Sequence, residues 1–138
     1  MGVRTRLALA ATSALTCASI VLGFGFGSAG VSVPPAEARV DARRVTVQFF
    51  TALDHSRWGR ACALLAQQFF EDNHVPDVRH CVVGLRIGMS GWAVKFRIGK
   101  IVATGDGAVV HAVVDGAPGT VRLVREHGRL LVVQLRAS

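Results

Sequence analysis

Three cysteines, five histidines and nine acidic residues are the groups here that could do chemistry, and their spacing limits what that chemistry is. Cys62 and Cys81 each fall on the apolar stripe of a helical stretch, so two helices can bring them face to face. In an oxidising compartment such a pair closes a disulfide. Closing a loop of about 20 residues stabilises a fold by roughly 3 kcal/mol in the chain-entropy account. No Cys-x-x-Cys and no zinc-ligand spacing is present, so no metal site is expected. His55, His74, His80, His111 and His127 form no helical i, i+4 pair with an acid beside it. The chain also lacks a glycine-rich phosphate loop, a serine-nucleophile motif and an acidic cluster for magnesium, and no cofactor is expected.

Two groupings remain. His111 interrupts an apolar run from Ala108 to Val114, which places it inside a sheet or on its flank. There it could serve as a pocket base, or simply be a satisfied interior or surface histidine. Its only stranded partners are Asp106 and Asp115, and both lie where turns are expected. The second grouping is Lys95, Arg97, Arg122 and Arg136, which alternate against apolar positions and so share the outer face of a sheet. Such a stripe can meet an anionic lipid or an acidic partner, or it can merely solvate the sheet and discourage edge pairing. Few aromatic residues accompany it, which argues against single-stranded nucleic acid.

The elements that must position these residues are legible in the hydrophobic period. Ala42, Val45, Thr46, Phe49 and Leu53 share one helical face, with Arg43, Arg44, Gln48 and Thr51 opposite, giving a helix over about 39–54. Ser56 is placed to cap a second helix, in which Trp58, Ala61, Cys62, Leu65, Ala66 and Phe69 keep strict helical spacing. A third helix starts at Pro76-Asp77 and carries Val78, Cys81, Val82 and Leu85. After Gly88 the period falls to two. Trp92, Val94, Phe96 and Ile98 form one strand, Ala108–Val114 a second, Val121 and Leu123 a third, and Leu131, Val133 and Leu135 a fourth. Turns at Gly105-Asp106-Gly107, Asp115–Gly119 and Gly128 join them, which makes an antiparallel meander. Helices followed by a meander define an α+β fold: three N-terminal helices packed on a four-stranded antiparallel curved sheet.

Residues 1–38 carry the marks of a secretory leader. Arg4 and Arg6 precede a run without charge from Leu7 to Val33, and Ala36-Glu37-Ala38 supplies small residues at −3 and −1 of a cleavage site. The uncharged run is long enough to remain as an uncleaved anchor, and either outcome puts the rest of the chain outside. Leu15-Thr16-Cys17 departs from the pattern of a lipid-attachment site. Removing Arg4, Arg6 and Glu37 with the leader takes 16 basic and 9 acidic residues to 14 and 8, a net charge of +6 on a single domain spanning 39–138. That charge suits anionic lipid head groups or acidic wall polymers outside the cell. Arginine outnumbers lysine 14 to 2, as in a GC-rich bacterial genome.

This order of elements resembles small secreted proteins of the nuclear transport factor two-like superfamily. The matching stretches are Val47–Leu53, Trp58–Leu65, Cys81 on the third helix, and the closing hairpin Thr120–Val132. The resemblance implies a cone-like half-barrel whose mouth can hold an apolar ligand. Isomerases of the ketosteroid type within that superfamily imply a pocket Asp and a Tyr donor, and this chain has no Tyr. A cyclase or dehydratase would need an Asp–His pair deep in the cone. The expectation is therefore an exported, non-catalytic envelope domain that binds a partner or a small apolar molecule, with a homodimer possible. The alternative is a small pocket enzyme using His111 as base.

Overall fold

The computed structural model describes residues 33–138. Residues 1–32, which hold most of the expected leader and Cys17, lie outside the described residues. Among the described residues four helices precede four strands: α1 Pro35–Asp54, α2 Trp58–Ala63, α3 Gln67–Asp72 and α4 Val78–Met89, then β1 Phe96–Ala103, β2 Gly107–Val114, β3 Ala117–Glu126 and β4 Arg129–Ala137.

Helix α1 begins four residues earlier than its period predicts, with Pro35 in its first turn, where a proline costs no hydrogen bond. Ala38, the last residue of the expected leader, is buried there. Ala42, Val45, Thr46, Phe49 and Leu53 are all buried, as the stripe predicts. Thr46 is wholly enclosed, and its Oγ1 donates to the Ala42 carbonyl at 2.7 Å, so it leaves no polar group unpaired.

The expected second helix is two helices. The stripe from Trp58 to Ala66 is buried throughout its apolar positions, but the backbone leaves the helix at Leu64–Ala66. There Leu65 forms a parallel bridge to Val132: Ala66 N–H donates to Val132 O at 2.7 Å, and Val132 N–H to Leu64 O at 2.8 Å. Sheet hydrogen bonds, which helical periodicity cannot register, win over the helix and cover part of the β4 edge. Ser56 does not cap α2; it sits at φ 56° in the preceding turn, and Arg57 takes the cap position without a side-chain bond.

The sheet runs β1-β2-β3-β4, all antiparallel. Asp115-Gly116 and His127-Gly128 both have positive φ at each residue, the primed turns that tight hairpins favour. Two strand readings shift. Strand β1 starts at Phe96, not Trp92; Trp92 closes a turn and is 65% exposed. In β4 the inward residues are Leu130 and Val132, and an extra residue at Val133 restores Leu135 to the inner face opposite Val121. A bulge of this kind reverses the alternation expected for Leu131 and Val133. The core lies between α1 and the inner sheet face, where Val110, Leu123 and Val132 are almost fully enclosed.

Candidate functional site

The inner face is filled along most of its length and open at one end. Val110, Leu123 and Val132 meet the apolar face of α1 and leave no room. Towards the β2–β3 turn a cleft stays open between the helix and the ends of β2, β3 and β4. Phe50 is the helix residue at that opening, held by its ring contacts with Phe49 at 5.5 Å and Phe96 at 5.3 Å between centroids. Opposite it stand Ala112 and Val114 of β2, Val121 of β3 and Leu135 of β4. Together they line a cleft of about 310 Å³. Ligand pockets run from about 300 to 1,000 Å³, so this one suits a small molecule. Ala112 is paired with Gly119 and Val121 with Leu135, so these residues share the inner face by register. Leu135 is 42% exposed, which for a leucine on that face means an unfilled site beside it. Arg136 reaches the rim, but its partner Thr120 is paired with His111, which places the arginine side chain on the opposite face.

His111 sits on the outer face. Val110 and Ala112 on either side of it are buried and inward, so the imidazole points away from the cleft and is exposed. It borders a shallow outer depression with Arg97, Gly99, Val113 and Pro118, in which no carboxylate takes part. Asp115 lies four residues further along, about 13 Å at strand rise. Its carboxylate accepts from Lys95 N–H at 2.9 Å, while its own N–H donates to Lys95 O at 2.7 Å. Asp106 is five residues away in the other direction, in the β1–β2 turn. The fold therefore sets neither Asp106 nor Asp115 beside His111.

Arg97, Arg122 and Arg136 do share the outer face and are exposed. Lys95 is also exposed but precedes β1, where its backbone is tied to Asp115. The stripe is not uniform. Beside Arg122 the α3 residues Gln68 and Asp72 and the β3 residue Glu126 border a second outer hollow. Glu126 takes Gln67 N–H at 2.9 Å and Gln68 N–H at 3.4 Å, capping a helix whose own cap residue is Ala66. These carboxylates offset part of the positive field, and only the tertiary fold brings them there.

Cys62 of α2 and Cys81 of α4 are bonded, with Cα atoms 6.1 Å apart and both side chains buried. Among the described residues no group of His, Cys, Asp and Glu could hold a metal ion. No helix among them is long and apolar enough to cross a membrane. Two features escaped the sequence reading. Phe50 follows Phe49, whose position already satisfied the helical stripe. The alternation marks Leu135 only as one position of the fourth strand, because a strand's period cannot tell a packed site from an open one.

No protein-family model matches the chain, and no curated protein is significantly similar to it. Among solved structures it is similar to an NTF2-like protein of unknown function from Pseudomonas putida KT2440. The two share 17% identity and superpose with a TM-score of 0.55 over 79% of this chain and 89% of that one. The fold is thus NTF2-like, helices over an open four-stranded antiparallel sheet.

Proposed function

We propose that this is an exported binding domain whose cleft at Phe50, Ala112, Val114, Val121 and Leu135 takes a small apolar ligand. The apolar lining of that cleft carries the reading. Its volume of about 310 Å³ holds a compact hydrophobic molecule, and the inward side chains offer no group to donate or abstract a proton. Export rests on the charged, apolar and small-residue succession of the leader and fits the Cys62–Cys81 bridge, which persists in oxidising compartments.

The experiment is binding of a neutral apolar fluorophore, N-phenyl-1-naphthylamine, to the wild type and to Leu135→Glu. Leu135 is half exposed, so a charge there is tolerated by the fold while it spoils the apolar lining. Affinity should fall by roughly tenfold or more, the scale of one buried leucine side chain. Equal binding by both proteins would remove the cleft from the account. A turnover abolished by His111→Ala with the fold intact would replace the binding reading with the enzyme.

A further inference from the structure

One helix carries a face that the core does not use. Helix α4 is held to α2 by the Cys62–Cys81 bond and turns Cys81, Val82, Leu85 and Met89 inward. Its solvent side bears Arg79, Val83, Arg86 and Ile87, with Val83 spaced four from Arg79, three from Arg86 and four from Ile87, so that all four share one face. Ile87 is 79% exposed and Val83 47%. The turn that follows adds Trp92. Ser90 at φ −61° and ψ 127° with Gly91 at φ +80° make a type II turn, closed by Trp92 N–H to Met89 O at 3.1 Å. This returns Trp92 to the helix end, where it is 65% exposed. The segment beyond is fixed by Val94 N–H donating to Asp54 Oδ1 at 2.8 Å. The exposure of Trp92 is therefore imposed by the scaffold.

We infer that this face, Arg79, Val83, Arg86, Ile87 and Trp92, docks the domain on an anionic phospholipid surface. The charge pattern selects lipid over a protein groove. No acidic residue occurs within α4, and the one just before it, Asp77, is engaged by the His80 N–H at 2.9 Å and ring Nδ1 at 2.7 Å. Two guanidinium groups interleave with aliphatic side chains, and a tryptophan stands at the edge. That is the composition of a surface lying in a lipid interface, with apolar groups below the head groups and cations among the phosphates. The net charge of +6 on residues 39–138 adds attraction at longer range. This docking is independent of the cleft, whose lining lies on other elements.

The leader can itself hold the full chain on a vesicle, so the test reads the depth of Trp92. Only Trp58 and Trp92 fluoresce as indoles, and Trp58 is buried. Phospholipids brominated high in the acyl chain should quench Trp92 in phosphatidylglycerol–phosphatidylcholine vesicles and much less in phosphatidylcholine alone. Trp92→Phe should leave an unquenched Trp58 signal. Arg79→Gln and Arg86→Gln should each weaken docking roughly fivefold. Ile87→Gln should weaken it by roughly tenfold. All these positions are exposed, and near-UV circular dichroism confirms that each variant keeps its fold. Absence of quenching, equal quenching without phosphatidylglycerol, or a loss caused by Arg122→Gln and Arg136→Gln instead would overturn the inference. So would a dimer in solution that Ile87→Gln dissociates, which would give the face to a second copy of the chain.

Discussion

Single side chains here hold backbone more than they do chemistry. Asp54, Asp77, Asp115 and Glu126 each accept from main-chain N–H groups, and three of the four act across long sequence separations. Asp77 is held below the usual carboxylate range by hydrogen bonds from the His80 ring and backbone N–H. A carboxyl so depressed contributes stability above its unfolded pKa and loses it as pH falls through the folded one, so the α4 cap is an acid-labile point. Glu126 gives the sharper prediction. Its carboxylate supplies the cap that Ala66 cannot, so Glu126→Ala should cost about 1 kcal/mol. Thermal unfolding should register this, and hydrogen exchange at Gln67 and Gln68 should quicken while the central strands stay protected. Nothing in the sequence connects Glu126 with Gln67, because the pair exists only once β3 has packed beside α3.

At the level of elements, periodicity found what repeats and missed what interrupts. The α1 stripe, the apolar positions of Trp58–Ala66 and the alternating Val121 and Leu123 of β3 all occupy the core that their spacing predicts. The break at Leu64–Ala66 and the bulge at Val133 did not show, since the first is set by hydrogen bonds to the distant β4 and the second by the register of β4 on β3. Trp92 was drawn into β1 by alternation alone, whereas the Ser90-Gly91 turn holds it in solvent. The cysteines were legible because each sits on an apolar stripe, and the bond joins the two helices that those stripes belong to. Cys62→Ala with Cys81→Ala should destabilise the fold by roughly 3 kcal/mol and loosen α4 first. Non-reducing peptide mapping of protein recovered from its host should return one linked species, with Arg39 at the N-terminus. Two alkylated thiols would contradict the bridge.

For the molecule as a whole, the fold keeps three surfaces apart. The inner sheet face is closed by α1 except at the cleft, the outer face carries Arg97, His111, Arg122 and Arg136, and α4 presents a third surface of its own. The sequence could place His111 on a strand but could not tell which side of the sheet it faced until the register with Thr120 was known. The cleft was implied only as the mouth of a cone; its lining depends on which part of the sheet α1 covers. The central claim is that the mouth of the cone binds an apolar molecule. Amide and methyl chemical-shift mapping during titration with N-phenyl-1-naphthylamine tests it most directly. The account predicts saturable shifts centred on Phe50, Ala112, Val114, Val121 and Leu135, with His111 and the outer arginines unmoved. Shifts confined to the outer face, or none along the cleft at saturation, would contradict it.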